Sequence, residues 1–288
     1  MNLPSNIKHH LSGIVLLSIC FLLPTAYSPT PPNCKEILQN TITSVSKIKS
    51  LQFHLKCNER VKGKLLSTES KVKMNASPRK VYIYLKGPEL LWIEGQNNGN
   101  ALVNPDGFPY MNLNLDPMGN IMRENQHHTI NEVGFSYFAG IIDNSIKLAG
   151  DKFDTYFKNG GTIAFDGASC WLITADYPYF KYEDYIVQKG ENLVTIANKL
   201  KVSDYMLLEL NADKVGSYHD VKAGQKIKVP NVYGSKLIMY IDKDLLVPRV
   251  IKVYDDKGLF EAYEYHDLQV DPKYADDEFS KDHKGYKF

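Results

Sequence analysis

The chain has 288 residues, 43% of them hydrophobic and 23% charged, which is ordinary for a globular protein and long enough for two folded units. A formal net charge of +1 gives no electrostatic footing for nucleic acid or an anionic membrane. The lysines alternate with acids, as on a solvated face, so no nucleic-acid partner is expected.

The first residues read as a processing signal. Lys8, His9 and His10 precede the apolar run Leu11 to Leu23, and Pro24 to Ser28 form a small, polar cleavage region. A signal peptide over 1–28 is expected, because the apolar run is shorter than the roughly 20 residues that span a bilayer. Ile19, just before Cys20, is too large for a lipoprotein signal. No later stretch reaches membrane length, so an exported chain without a transmembrane span is expected. Export places Cys34, Cys57 and Cys170 in an oxidising compartment, where three thiols allow at most one bridge. Cys34 with Cys57 is the preferred pairing, with Cys57–Cys170 and three reduced thiols as the alternatives.

Asn33 caps a predicted helix from Cys34 to Ile48. Alternating residues from Leu51 onward then predict a series of strands, with turns near Gly63, Pro78, Gly87-Pro88, Gly95 to Gly99 and Asn104 to Gly107. This is the pattern of an antiparallel meander. From Asn131 to Ala149 the apolar residues cover more than one helical face, which predicts a buried helix. Strands resume over 155–157, 161–165 and 170–174, and again over 236–241, 247–254 and 259–266. The last two flank Asp255 to Gly258, a strong hairpin turn.

Between these strand groups lies Tyr185 to Pro230. Tyr185 to Val187 is β-rich, and Leu193, Ile196, Ala197 and Leu200 recur at helical spacing. Ser203 can cap a second helix bearing Leu207 and Leu210, and Gly224-Gln225 turns into a strand that ends at Pro230. This order, with Gly190, Glu191 and Asn211, resembles the LysM domain, a βααβ carbohydrate-binding module. The resemblance implies a shallow groove for N-acetylated sugars. One wall would be Gly190, Glu191, Asn192 and Leu193; the other would be Leu210 and Asn211, with Val221 and Met206 nearby. Peptidoglycan or another N-acetylglucosamine polymer is the implied partner.

The similar strand pattern on both sides predicts one sheet domain, 33–184 and 235–288, with residues 185–230 inserted in a loop. The flanking region resembles the LolA-like superfamily, on the order of leader, helix, meander and apolar helix, followed by the tail IDKDLLVPRVIKVYDDKGLFEAYEYHDLQV. Within it the chain looks closest to an uncharacterised bacterial family. The expected fold class is therefore α+β: an incomplete antiparallel β-barrel with helices in its concavity, plus the inserted βααβ module. The resemblance implies location in the periplasm or cell envelope of a Gram-negative bacterium, and a lumen near Phe135, Phe138, Ile141 and Ile142 for lipid or lipoprotein. The competing reading is that those side chains plug the lumen.

No catalytic constellation or metal-ligand spacing appears, so no enzyme activity and no cofactor are expected. His127 and His128 lack a nearby third ligand and read as a polar loop pair. Glu183-Asp184 and Asp255-Asp256 are adjacent carboxylates that would point to opposite faces of a strand. The leading expectation is an exported envelope binding protein with two ligands. The alternative is a lipid or lipoprotein carrier in which the LysM module is a structural insert.

Overall fold

Alternation along one long strand sets the architecture. In β1 (Ser50–Val61), Leu51, Phe53, Cys57, Glu59 and Val61 are buried at every second or fourth position, so one face of the strand meets the core. The computed structural model describes residues 32–288, so the expected signal peptide over 1–28 lies outside them. After helix α1 (Cys34–Val45), the chain forms β1, β2 (Lys64–Ala76), β3 (Arg79–Tyr84), β4 (Glu89–Ile93), β5 (Ala101–Asn104) and β6 (Leu113–Leu115). Helices α2 (Asn120–Arg123), α3 (Ser136–Ala149) and α4 (Phe153–Tyr156) follow, then β7 (Phe157–Phe165) and β8 (Ala168–Asp176). The LysM-like region contributes β9 (Tyr182–Ile186), α5 (Leu193–Leu200), α6 (Asp204–Leu210) and β10 (Lys226–Pro230). The chain closes with β11 (Lys236–Asp242), β12 (Pro248–Asp255) and β13 (Gly258–Val270).

Eleven strands form one antiparallel sheet in the order β6-β5-β4-β3-β2-β1-β13-β12-β11-β8-β7. The sheet is not closed: β6 and β7 are its two edges. The fold is α+β, with α1 and α3 packed together in the core against the inner face of the sheet. Phe135, Phe138, Ile141 and Ile142 are all buried there, filling much of the concavity. The outer face of β3 and β4 is covered by the C-terminal tail, where Tyr286 stacks on Tyr82 at 3.8 Å. The apolar segment expected as one helix from 131 is a short turn at Ile130–Glu132 followed by α3. Gly134, at φ +99°, separates them, and a Cβ there would lie 3.0 Å from the Met74 sulfur.

Strands β8 and β11 pair directly, Asp176 with Lys236, although some sixty residues separate them in sequence. The two connections to the inserted region run side by side. Lys181 and Asn231 exchange backbone and side-chain hydrogen bonds at 3.0–3.1 Å, and the Tyr177 amide donates to the Ser235 carbonyl at 2.8 Å. Inside the insert, β9 and β10 form their own two-stranded sheet beneath α5 and α6. Asn192 caps α5 through Thr195, and Ser203 caps α6 through Met206.

Helix α6 has two apolar faces. Leu207 fills the core of the insert, whereas Tyr205 and Met206 belong to the core of the large sheet domain. The Tyr205 hydroxyl accepts from the Lys62 amide at 2.9 Å. Arg123 makes a two-pronged pair with Asp204, at 2.9 and 3.0 Å, and lies 3.9 Å from the Tyr218 ring. The insert is therefore docked rather than tethered. Removing one partner of a buried ion pair typically costs roughly 3–5 kcal/mol, because the other charge is stranded. Asp204→Ala is accordingly expected to lower stability by about that amount in urea denaturation, and Arg123→Met/Asp204→Leu to recover most of the loss. Equal midpoints for wild type and Asp204→Ala would show that the seam contributes nothing.

Candidate functional site

Glu59 on β1 and Glu261 on β13 are direct cross-strand partners, and both are buried. Like charges opposite each other destabilise a ladder, so this pair needs compensation. The segment between α2 and α3 supplies it. The His127 amide donates to Glu59 Oε2 at 3.0 Å, its Nδ1 lies 2.9 Å from Glu261 Oε2, and its Nε2 lies 3.0 Å from the Arg60 carbonyl. Both ring nitrogens thus face oxygen atoms that can accept. Tyr263 donates to Glu59 at 2.6 Å and Tyr233 donates to Glu261 at 2.7 Å. His128 bridges Glu132, at 3.1 Å, and Glu261, at 3.4 Å.

The electrostatics follow from this geometry. Burial works against a charged His128, but Glu261 and Glu132 outweigh burial and hold its pKa well above the ordinary histidine value. Burial would likewise raise Glu261, yet His128 and His127 hold it well below the usual carboxylate range. Glu132 is also lowered: burial opposes the shift, and His128 and the Thr129 amide overcome it. Ligand atoms of Glu59, His127 and Glu261 lie within 4.8 Å of one another, a spacing that could hold a divalent ion. Each of these residues also has hydrogen-bonding partners in the protein.

This cluster borders a cavity of about 290 Å³ between the inner face of β1–β4 and residues 122–138. Phe53, Leu55, Val72, Ile83, Leu90 and Ile130 form apolar wall, and Glu59, His128 and Glu132 provide a polar end. Such a chamber suits an apolar ligand with one hydrogen-bonding terminus. Phe138 lines it, whereas Ile141 and Ile142 face a void of only about 30 Å³, and Phe135 is packed between Phe53 and Tyr265. Of the four expected lumen residues, one therefore borders the cavity. The chamber lies toward β2 and β3 because α3 occupies the rest of the concavity.

The expected sugar groove is partly redistributed. Gly190 is exposed, Glu191, Asn192 and Val221 are half-buried, and the two walls meet where the Leu193 amide donates to the Tyr218 carbonyl at 2.9 Å. Asn192 also contacts His219 at 3.1 Å. Glu191 acts as a brace, accepting from Tyr185, the Gln188 amide and Lys199 at 2.8–2.9 Å. Leu193 is fully buried in the core of the insert. Asn211 is buried too, its amide bracketing Lys228 and so fixing the end of α6 to β10. Met206 and Leu210 pack against the large domain instead of lining a wall, because the docked face of α6 takes them.

Two further expectations are corrected. Cys34 and Cys57 are not bridged; with Cys170 they are free and buried. Cys34 sits near Asp154 and Lys158, whereas Cys57 neighbours Glu59 and Thr68, so the two face different parts of the core. Burial pushes the Cys34 and Cys170 thiols up to about 11, which keeps them unreactive. The histidine pair is not a polar loop: His127 has a fully buried ring stacked between Tyr205 and Phe260 at 4.3 and 4.2 Å. Its carboxylate partners come from strands 68 and 134 residues away in sequence, beyond any local spacing rule. The one available signal was Glu59 falling on the apolar face of its strand.

Residues 48–188 match the model of a family described as a protein of unknown function (DUF1571), and residues 185–230 match the model of the LysM domain. The chain thus joins a DUF1571 region to a LysM domain. A search of curated proteins found no match. Among solved structures, the lipoprotein LppX of Mycobacterium tuberculosis is 14% identical, with 83% of this chain and 96% of that chain covered and a TM-score of 0.39. A LolA superfamily protein from Nitrosomonas europaea is 10% identical, with coverage of 88% and 99% and a TM-score of 0.33. A putative outer membrane lipoprotein-sorting protein domain from Vibrio parahaemolyticus is 9% identical, with coverage of 85% and 95% and a TM-score of 0.28.

The buried cluster makes stability depend on pH in two directions. A raised His128 contributes stability that is complete below its ordinary value of 6.5 and is lost as pH rises through its folded value. Depressed Glu261 and Glu132 contribute stability that is complete above 4.5 and is lost as pH falls through their folded values. The cluster's contribution to the thermal midpoint is expected to be greatest between these two values. His128→Gln should flatten the fall above pH 6.5 in a pH series of melting curves; an alkaline limb with the wild-type slope would count against the assignment.

Proposed function

We propose that this chain, with its LysM domain docked on a DUF1571 region, is an exported binding protein of the bacterial cell envelope, residing in the periplasm of a Gram-negative bacterium. Its LysM domain binds peptidoglycan or another N-acetylglucosamine polymer, and its cavity takes a second, apolar ligand with a polar end. The observation that carries this reading is the LysM match at 185–230, together with two adjacent loops that keep Gly190, Glu191, Asn192, His219, Asp220 and Val221 at least partly exposed, while Tyr218 and the first turn of α6 are buried. Exposed backbone groups of the walls can hold an acetamido group, and the side chain of Val221 can pack against its methyl. The histidines and carboxylates neutralise one another in this reading, and no enzymatic step is assigned to them.

A second reading is favoured by one observation, the docking of Tyr205 and Met206 into the large core. Here the LysM domain is a structural insert, and the protein carries lipid or a lipoprotein acyl group in the cavity. The two readings separate by experiment. Val221→Asp puts a charge where the methyl would sit, and is expected to reduce retention on insoluble peptidoglycan by about tenfold, a loss of roughly 1.4 kcal/mol. Absent retention of the wild type would remove the sugar reading. Ser70→Trp fills the cavity from β2 and is expected to abolish uptake of a fluorescent fatty-acid probe with little change in melting temperature. Undiminished uptake would place the apolar ligand elsewhere.

A further inference from the structure

Three large apolar side chains stand out from the surface on one loop. Between β5 and β6, Phe108 is 86% exposed, Tyr110 is 85% exposed and Met111 is 61% exposed. Isolated exposed hydrophobes are common, but three within four residues at the tip of a Pro- and Gly-containing loop form a patch that needs a partner. The loop is braced so that it displays them. Asn104 donates to Asn112 across its base at 3.1 Å, and the Asp106 amide is held by Asn104 at 2.9 Å. Lys287 from the C-terminal tail binds Asp106 at 2.7 Å. The Phe108 and Tyr110 rings meet edge to face at 6.3 Å.

The position of the loop matters as much as its composition. Asp106 packs against Gly87, where a Cβ would come within 2.9 Å of its carboxylate. Gly87 lies two residues from Leu85, a partly exposed residue that lines the 290 Å³ cavity. Ile121, 72% exposed, immediately precedes Met122 on another stretch of the cavity wall. The apolar tip thus stands beside the wall of the apolar chamber.

We infer that the tip formed by Phe108, Tyr110 and Met111 inserts into the interfacial zone of a lipid bilayer. A narrow convex tip of three side chains is too small for a protein interface of about 800 Å² per partner. Tyr110 combines an apolar body with a polar edge, which is favoured at the depth of lipid headgroups, and Phe108 and Met111 add apolar surface beside it. Charge does not drive the contact, because the neighbouring cations are paired: Lys287 with Asp106 and Lys86 with Glu69. Binding is therefore largely independent of salt and of anionic lipid content. The contact is separate from both ligands proposed above and does not require the cavity to be filled.

The test is flotation of the exported, purified protein, with loss of the expected signal peptide over 1–28 checked by intact mass, on vesicles of phosphatidylethanolamine with 0–30% phosphatidylglycerol. Wild type floats, with less than a twofold change between low and high salt. Phe108→Ser/Tyr110→Ser lowers the floated fraction at least tenfold while keeping the melting temperature and the retention on peptidoglycan. Phe108→Trp shifts its emission to the blue on adding vesicles. Absent flotation of the wild type, equal flotation of the double variant, loss of binding in salt, or unshifted Phe108→Trp emission would each overturn the inference. Capture of an envelope protein through this loop without vesicle binding would also overturn it.

Discussion

Two carboxylates facing each other across adjacent strands are the constraint around which this molecule is arranged. Glu59 and Glu261 lie in register on β1 and β13, near the middle of the eleven-stranded sheet, and both are buried, Glu261 fully. In a core of low effective dielectric their repulsion would be severe. Three pieces of chain distant in sequence relieve it. Residues 127–128 bring two imidazoles and an amide, Tyr263 brings a hydroxyl from β13 itself, and Tyr233 brings another from the stretch just after the LysM domain. A buried polar network of this kind favours one arrangement, since a slipped alternative leaves its carboxylates unpaired. The segment 120–135 has little regular secondary structure, and this network accounts for its fixed path across the sheet.

The same network explains why the LysM domain is part of the body of the protein. The ring of His127 is sandwiched between Phe260 of β13 and Tyr205 of α6, so the LysM helix is the lid that keeps water from the carboxylates. Arg123, four residues upstream, donates to the His127 carbonyl at 3.1 Å while its other contacts reach Asp204 and Tyr218. One short segment therefore reads both sides of the seam, and its next residues line the cavity. Docking, carboxylate compensation and cavity shape are three consequences of one placement.

Much of this was legible in the sequence, for identifiable reasons. The strands from β1 to β5 and from β11 to β13 show period-2 alternation broken by Gly, Pro and Asp turns, and each forms near its expected place. The LysM helices were legible because caps at Asn192 and Ser203 and the spacing of Leu193, Ile196 and Leu207 are local signals. Three short elements, α2, α4 and β6, carry no such pattern and depend on contacts made elsewhere, and the strand expected over 155–157 begins only at Phe157 because α4 takes Thr155 and Tyr156. The start of α3 was misjudged because apolar periodicity continues through a turn that Gly134 imposes, whereas its end at Ala149 lies where expected. The site was less accessible. Charge compensation between Glu59, His127 and Glu261 rests on sheet register, and register between β1 and β13 spans some two hundred residues. Met206 was misplaced for a related reason: helical spacing says that a face is apolar, but not which of two cores it enters.

A rigidly docked module binds differently from a tethered one. Two zipped connections and a buried helix face fix the LysM walls in orientation, so no linker freedom is lost when they engage a polymer. The same rigidity removes the search volume that lets a tethered hook find a second site. In the proposed sugar-binding reading, a groove on a fixed body therefore gains avidity only from partners presented in matching geometry. A polymeric wall can offer that, because its repeating units present many equivalent sites to one orientation. The braced loop at 105–112 belongs to the same compact unit and is held at its base by Asn104, Asn112 and Lys287. The orientation of the LysM walls is set by the two zipped connections and by the seam through Arg123, Asp204 and Tyr205.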